Sequence, residues 1–518
     1  MTEPGLVVGV DIGTTGVKVA AVDAAAVCHG RAEREYPTQS PRPGWSEQDP
    51  DEVAVATADA VREVAAGVRG SGRSIAGVAF SSAMHSLIAL GSDGARLTPS
   101  VTWADGRAAE QARRLRASGE WLALHRRTGT PVHPMSPLVK LLWFREEQPE
   151  TWRHAAHWVG IKEYLLFRLT GLLAVDESVA SATGLYGLVA RNWDEEALEL
   201  AQLRPDQLPR LHASTDIITQ LGTEAADWGL LPGTPVVLGA SDGALANVGV
   251  GAVRPGVTAC SIGTSAALRG VVAEPGVDTL GRVFCYALVP GRWFVGGAIN
   301  NGGNVLRWLD RVVGADLSDP DRELTEMAAT VPRGAEGLLM LPYLSGERAP
   351  RWSGAPSGAL LGLTQRHTRA HIARAALEGV CLQLGLVLDA MRAAGLAPTE
   401  LRATGGFARS RFWRQLLADV LGSPIGFPAG GQGSVIGAAL LGHVALGHLR
   451  SVDAAASLVR VTQVVHPDPD DARFYRALLP AFARTGEAVE DLHPWSRDGW
   501  PDNPAGTRVG RPGEQDPG

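Results

Sequence analysis

Two aspartates stand where an apolar run gives way to small residues. Asp11 ends "LVVGVD" and is followed by "IGTTG", which carries Thr14 and Thr15. Asp242 follows "PVVLGAS" and is followed by Gly243 and Ala244. Small neighbours let a substrate come close to a carboxylate. Such a carboxylate can take the proton of a hydroxyl as that hydroxyl attacks a γ-phosphate. An aspartate after a strand can equally be the N-cap of the next helix, here "ALANVG", and the spacing leaves both readings of Asp242 open. Asp11 beside a Gly-Thr turn fits a carboxylate that meets phosphates through Mg²⁺, or an Asx turn that only holds its loop. The turn itself recurs half a chain later as "SIGTS", with Gly263 and Thr264. Backbone N–H groups gathered in such turns hold phosphate oxygens, and two matching turns favour a nucleotide clamped between two halves.

Three weaker patterns accompany these. "TGGFARS" contains Gly405 and Gly406, where a bare backbone would admit a flat adenine ring. Gly-Gly turns are common, so this alone says little. "TWADGR" sets Asp105 two residues before Arg107, either polyol contacts or a surface ion pair. "AFSSAMHSLIAL" places Met84 and His85 between two apolar runs. A histidine there is ordinarily a satisfied core or turn residue.

The elements that must position these residues are legible in outline. "GLVVGVDIGTTGVKVAAVD" reads as a strand–turn–strand hairpin, not the strand–loop–helix of a P-loop. A helix is expected near Asp51 to Val68, then strands "IAGVAF" and "SLIAL", then a turn at Asp93-Gly94. Residues 106–170 read as mostly helical, with Trp143, Phe144 and Tyr164 in the core. "GVTACSIGTSAALRGVV" repeats the opening hairpin, a weak duplication that suggests two related domains across a cleft. The boundary is expected near Val248 to Pro255. The helix over "HTRAHIARAALEGVCLQLGLVLDAMRAAG" ends at Gly395, and "GSVIGAALLGHVALG" is a small-residue helix suited to close packing.

Composition narrows the class. A chain of 518 residues is too long for one ordinary core. Its 45% hydrophobic and 20% charged residues are those of a globular protein. A formal charge of -7 without a basic block gives nucleic acid no electrostatic footprint. The four cysteines are scattered without a CxxC pair, which fits a reducing cytosol and neither zinc nor disulfides. No secretory leader and no membrane span are expected.

Taken together, the motifs resemble the FGGY family of carbohydrate kinases, within the actin, hexokinase and heat-shock ATPase superfamily. "DIGTTGVKV" and "SIGTSAAL" resemble its two phosphate loops, and "GGFARSRFWRQLLADVLG" its adenosine segment. "MSPLVKLLWFREE", with Met135, Pro137, Lys140 and Trp143, resembles the first family signature, and "GALLGLTQRHTRAHIARAALEG", ending in Glu378, the second. The resemblance runs from about Leu6 to Gly447.

It implies an α/β fold of two ribonuclease-H-like domains around a central cleft. Residues 1–247 would form the sugar side and 248–490 the nucleotide side, with 491–518 a disordered tail. It implies ATP and Mg²⁺, with Asp242 as catalytic base and Asp11 on the metal. Thr14, Thr15, Lys18, Gly263, Thr264, Gly303, Arg307, Gly405, Gly406 and Ser410 would contact the nucleotide. Met84, His85, Trp103, Asp105, Arg107, Met135 and Lys162 would face the sugar. "SSAMHSLIAL", "LTPSVTWADGR", "GTPVHPMSPLVKLLW", "IKEYLLFRLTG" and "SVASATGLYGL" resemble the gluconate-phosphorylating branch, so D-gluconate is the expected acceptor. A pentulose such as xylulose is the nearest alternative, and an actin- or chaperone-like ATPase or a non-catalytic sensor the remoter ones. Gluconate needs a cation or donors for its carboxylate. Lys162 and Arg107 are the candidates, with His85 or His133 as added donors. Family analogy also suggests a homodimer, although no interface segment is legible; a cytoplasmic protein that meets neither nucleic acid nor membrane is the expectation from composition.

Overall fold

Alternating valines and alanines punctuated by glycine make the start of the chain fold back on itself. Strand β1 (Leu6–Ile12) pairs antiparallel with β2 (Gly16–Val22), placing Val10 opposite Val19 and Asp11 opposite Lys18. β3 (Cys28–Glu35) continues the antiparallel run. The helix Pro50–Gly70, capped by the Asp49 side chain, buries an apolar stripe that includes Val53, Val61, Val64 and Val68. It leads into β4 (Ile75–Ser82), parallel to β1. β5 (Ile217–Ile218) and β6 (Val236–Ser241) complete a six-stranded sheet in the order β5-β6-β4-β1-β2-β3. This computed structural model describes residues 5–314, 316–352, 357–396, 398–429 and 433–491; the expected disordered tail lies, from residue 492 on, outside the described residues.

The second half repeats the plan. β7 (Val257–Ile262) and β8 (Ala266–Val272) form the second hairpin. β9 (Phe284–Val289) and β10 (Arg292–Ile299) extend it antiparallel. β11 (Glu400–Thr404) and β12 (Ile425–Pro428) add in parallel on the other side of β7, and β13 (Val461–Val465) closes the edge antiparallel. The order is β9-β10-β8-β7-β11-β12-β13. Apart from β9, each strand has a counterpart of the same direction in the first sheet. The two ribonuclease-H-like α/β domains expected from the sequence are therefore present.

Between β4 and β6 the chain makes a largely helical excursion, including Pro137–Glu147 and Ile161–Thr170, with Ile88–Leu90 pairing His157–Val159. Trp143, Phe144 and Tyr164 are buried in it as expected. The helix Arg369–Ala393 is long and apolar enough to cross a membrane, but 83% of its most apolar window is buried, which makes it a core helix. The small-residue helix Gly433–Ala445 crosses to the first sheet, where Val435 and Ala439 pack on Val7, Ala79 and Val237. Its glycines allow backbone contact: a Cβ on Gly437 would stand 1.9 Å from the Leu245 carbonyl oxygen.

Candidate active site

Asp11 lies near the end of β1, where the sheet turns back through Gly13 and Thr14. Its carboxylate accepts hydrogen bonds from Ser81 Oγ at the end of β4 and from Ser434 Oγ at the start of the crossing helix, both 2.6 Å. Burial raises its pKa; the two serines and the Lys18 cation counteract that in part. An Asx turn therefore does not describe it. Asp242 opens the helix Asp242–Gly249, but Ser241 is the N-cap, its Oγ accepting from Ala244 N at 3.3 Å. The cap role considered for Asp242 is thus filled by its neighbour. Among the described residues the Asp242 carboxylate accepts only the Gly243 N–H, on Oδ1 at 2.6 Å. Burial first and the Asp11 carboxylate second push its pKa up to about 6, against the pull of Arg269.

Asp242 lines a cavity of about 760 Å³ of empty space, its open mouth included, with Thr14, Met84, His85, Trp103 and Met135. Five residues that the sequence assigned to the sugar or the first phosphate loop thus surround the expected base. Trp103 donates its indole N–H to Thr14 Oγ1 at 2.8 Å, tying this wall of the cavity to the first Gly-Thr turn. His85 has φ +70°, rare for a residue with a side chain. Lys140 holds it there, donating from Nζ to the carbonyls of His85 at 2.6 Å, Thr102 at 2.7 Å and Val101 at 3.2 Å. The His85 ring meets the Ala182 carbonyl through Nδ1 at 2.8 Å, so Nδ1 carries the proton and Nε2 is left an acceptor. Burial, and then the Lys140 charge, lower its pKa to about 3, so the ring is neutral near pH 7.

A second cavity is lined by Gly263, Thr264, Gly303, Arg307, Gly406, Phe407 and Ser410. The Gly263–Ser265 turn stands between the two cavities: Ser265 lines the first, Gly263 and Thr264 the second. Arg307 donates to Thr264 Oγ1 at 3.0 Å. Gly405, at φ +124°, would put a Cβ 2.0 Å from the Ile262 carbonyl oxygen, so only glycine fits this approach of strand to turn. Ser410 caps the helix Arg411–Leu421 through Trp413 N at 3.2 Å.

Several assignments need correction. Lys162 is neither solvated nor on the wall of the Asp242 cavity. It is buried in an ion pair with Asp176 and reaches the Leu238 carbonyl at 3.3 Å. Asp105 and Arg107 form a buried pair rather than polyol contacts. Asp105 accepts from Ser46 N at 2.6 Å and from Arg107 Nε at 2.8 Å; Arg107 continues to Glu47 at 2.6 Å and lies over the Trp45 ring. Neither lines the cavity. Thr15 and Lys18 stay outside both cavities: Thr15 is exposed and Lys18 points to Glu33 at 3.6 Å. Among the lining residues the sequence reading missed are Tyr286 and two cations, Arg269 on β8 and Arg348. One signal for Arg269 was available, a cation interrupting the apolar strand "AALRGVV".

Comparison with known proteins identifies the family. The family model described as "FGGY family of carbohydrate kinases, N-terminal domain" matches residues 6–249, and that of the C-terminal domain residues 258–446. The chain is 39% identical to the gluconokinase of Bacillus subtilis (strain 168) over 495 residues, 94% of this chain and 96% of that protein. The crystal structures of a gluconate kinase and of a ligand-bound xylulose kinase, both from Lactobacillus acidophilus, resemble it with TM-scores of 0.89 and 0.90. Each is 34% identical, and each match covers 94% of this chain and 99% of the other.

Proposed function

The chain belongs to the FGGY family of carbohydrate kinases, and from that premise we propose that it phosphorylates D-gluconate at its terminal hydroxyl, with ATP as donor, in the cytoplasm. One observation carries the chemistry. Asp242, with a pKa near 6, shares its cavity with Met84, His85 and Trp103, and the Gly263–Ser265 turn stands between that cavity and the glycine-lined one. We read the first as the acceptor site and the second as the nucleotide site; the walls of the first come from both halves of the chain, Thr14 to Asp242 and Ser261 to Trp352, so the expected sugar side of residues 1–247 is only part of it.

In this reading Asp242 takes the proton of the acceptor hydroxyl. The freed oxygen forms a bond to the γ-phosphorus while the bond to the ADP oxygen breaks. A base of pKa near 6 is ionised at neutral pH yet still basic enough to accept that proton. His85, with Nε2 as acceptor, takes a hydrogen bond from a sugar hydroxyl, and Trp103 orients Thr14. The Gly-Thr turns direct backbone N–H groups at the transferring phosphoryl, and the rate gain comes mainly from positioning and fixed dipoles. Mg²⁺ fits the donors present. Asp11 and Asp242 are two half-buried carboxylates that repel one another, and this ion commonly takes one or two carboxylates and keeps its waters. Asp11 would hold it, and when bound it would supply positive charge at the phosphate oxygens.

The gluconate assignment is supported by the B. subtilis relative and by the sequence around Met84 and His85. Xylulose is kept as the second reading because the L. acidophilus xylulose kinase has the same backbone likeness as the gluconate kinase. A coupled ADP-release assay across gluconate, xylulose, ribulose and glycerol decides between them. Gluconate is expected to give the highest kcat/KM; a higher value for xylulose overturns the assignment.

A further inference from the structure

A sugar acid requires a receptor for its carboxylate, and the two cations first considered are engaged elsewhere, Lys162 with Asp176 and Arg107 with Asp105 and Glu47. The acceptor cavity has cations of its own. Asp242 is its one acidic lining residue; Arg269 and Arg348 are its two basic ones. Because His85 is neutral near pH 7, the lining carries an excess of one positive charge. That balance suits a monoanion and is wasted on a neutral sugar.

The two arginines differ in place. Arg269 is the cation that acts most strongly on Asp242, and a Cβ on Gly243 would lie 2.9 Å from its Nε. It therefore sits at the end where the hydroxyl reacts. Arg348 lines the same cavity with its guanidinium over the Trp103 ring. A sugar acid whose terminal hydroxyl meets Asp242 shares that cavity with it.

Arg348 is only 7% exposed, yet its five donors are nearly unused. Nη2 reaches the Ile299 carbonyl at 3.3 Å, and Nε has no partner. Among the described residues no carboxylate lies within ion-pair distance of its guanidinium. The adjoining acid is turned away: Glu347 accepts from Asn300 N at 2.6 Å, from Arg348's own backbone N at 2.9 Å and from Asn301 Nδ2 at 3.1 Å. The guanidinium lies 4.7 Å from the centre of the Trp103 ring, which fixes it by its face and leaves its edge to bind. Tyr286, also on the cavity wall, buries its hydroxyl beside the Thr130 side chain without a close hydrogen bond. Arg269 Nε on the same wall is unpaired as well, and buried donors without acceptors along one cavity point to an acceptor-rich ligand. His85 is no rival for the carboxylate, since its one N–H is spent on Ala182.

We propose that Arg348, with the Tyr286 hydroxyl beside it, receives the carboxylate of the substrate and thereby sets the preference for a sugar acid over a neutral sugar. This rests on the gluconate reading above. The test is calorimetric binding of D-gluconate and of D-glucitol, its neutral counterpart with CH₂OH in place of the carboxylate, alongside steady-state rates. Arg348→Gln should weaken gluconate binding about 100-fold and leave glucitol within about threefold, with the loss in KM more than in kcat. Arg348→Lys should recover part of the loss. Tyr286→Phe, a milder change, should weaken gluconate about fivefold and spare glucitol. Unchanged nucleotide affinity verifies the fold of each variant. Equal loss for gluconate and glucitol, or undiminished gluconate binding in Arg348→Gln, overturns the receptor while the wild-type preference for gluconate stands. A wild-type preference for xylulose overturns both.

Discussion

The pKa of Asp242 is set by a balance of charges that can be tilted from either side. Burial and Asp11 raise it to about 6; Arg269 is the largest opposing influence. Arg269→Gln removes that cation. A unit charge taken at about 6 Å and an effective dielectric of about 20 is worth about 3 kcal/mol, or about two pKa units. Water in the open cleft reduces this to about one unit. The acid limb of kcat/KM should then move from about pH 6 to about pH 7. At pH 6.5 the ionised fraction of the base falls from about three quarters to about one quarter, a threefold loss on top of any pH-independent one. Asp11→Asn removes the opposing anion and should shift the limb of its residual activity the other way, below pH 6. The assay is initial rate at low acceptor concentration from about pH 4.5 to 8.5, where kcat/KM reports the free enzyme. An unmoved limb in Arg269→Gln, or shifts of the same sign in both variants, would refute Asp242 as the titrating base.

Asp242→Asn should retain nucleotide binding but lose turnover by about 10²–10⁴-fold, and it should also stabilise the apo protein. A carboxyl whose pKa rises from 3.8 to about 6 on folding favours the fold below pH 3.8, and that contribution is lost as pH rises through 6. At pH 7.5 the ionised Asp242 therefore costs up to about 3 kcal/mol, and scanning calorimetry should record a higher Tm for the asparagine variant at pH 7.5 but not at pH 4. Gly405→Ala should weaken nucleotide binding at least tenfold in a fluorescent-nucleotide titration, because its Cβ cannot coexist with the Ile262 carbonyl. Gly437→Ala should lower stability by about 2 kcal/mol or more in thermal denaturation, since the Leu245 backbone must move.

What the sequence revealed was local. Both Gly-Thr hairpins could be read because alternation and glycine define a hairpin within a dozen residues. The two roles weighed for Asp242 were separable only once Ser241 was seen to take the cap. Misreadings arose where a partner is distant in the chain. Arg107 and Asp105 look like a surface pair until Glu47 and Trp45 close over them. Lys162 looks like a solvated helix start until Asp176 meets it in the core. Arg348 belongs to a segment with no periodic pattern, and nothing in its neighbours' types announces that it faces a cavity formed largely by residues elsewhere in the chain.

The crossing helix Gly433–Ala445 has a consequence for how the protein comes into being. It covers Val7, Ala79 and Val237 of a sheet whose strands all precede residue 242, and its Ser434 supplies one of the two hydroxyls on Asp11. As the chain leaves the ribosome, the first domain waits with that face bare while nearly two hundred further residues are made. A fragment ending at residue 249 would contain every strand of its sheet and still be unfinished. The first sheet is completed by a helix from the second half, so synthesis must pass that helix before Asp11 has both of its serine partners.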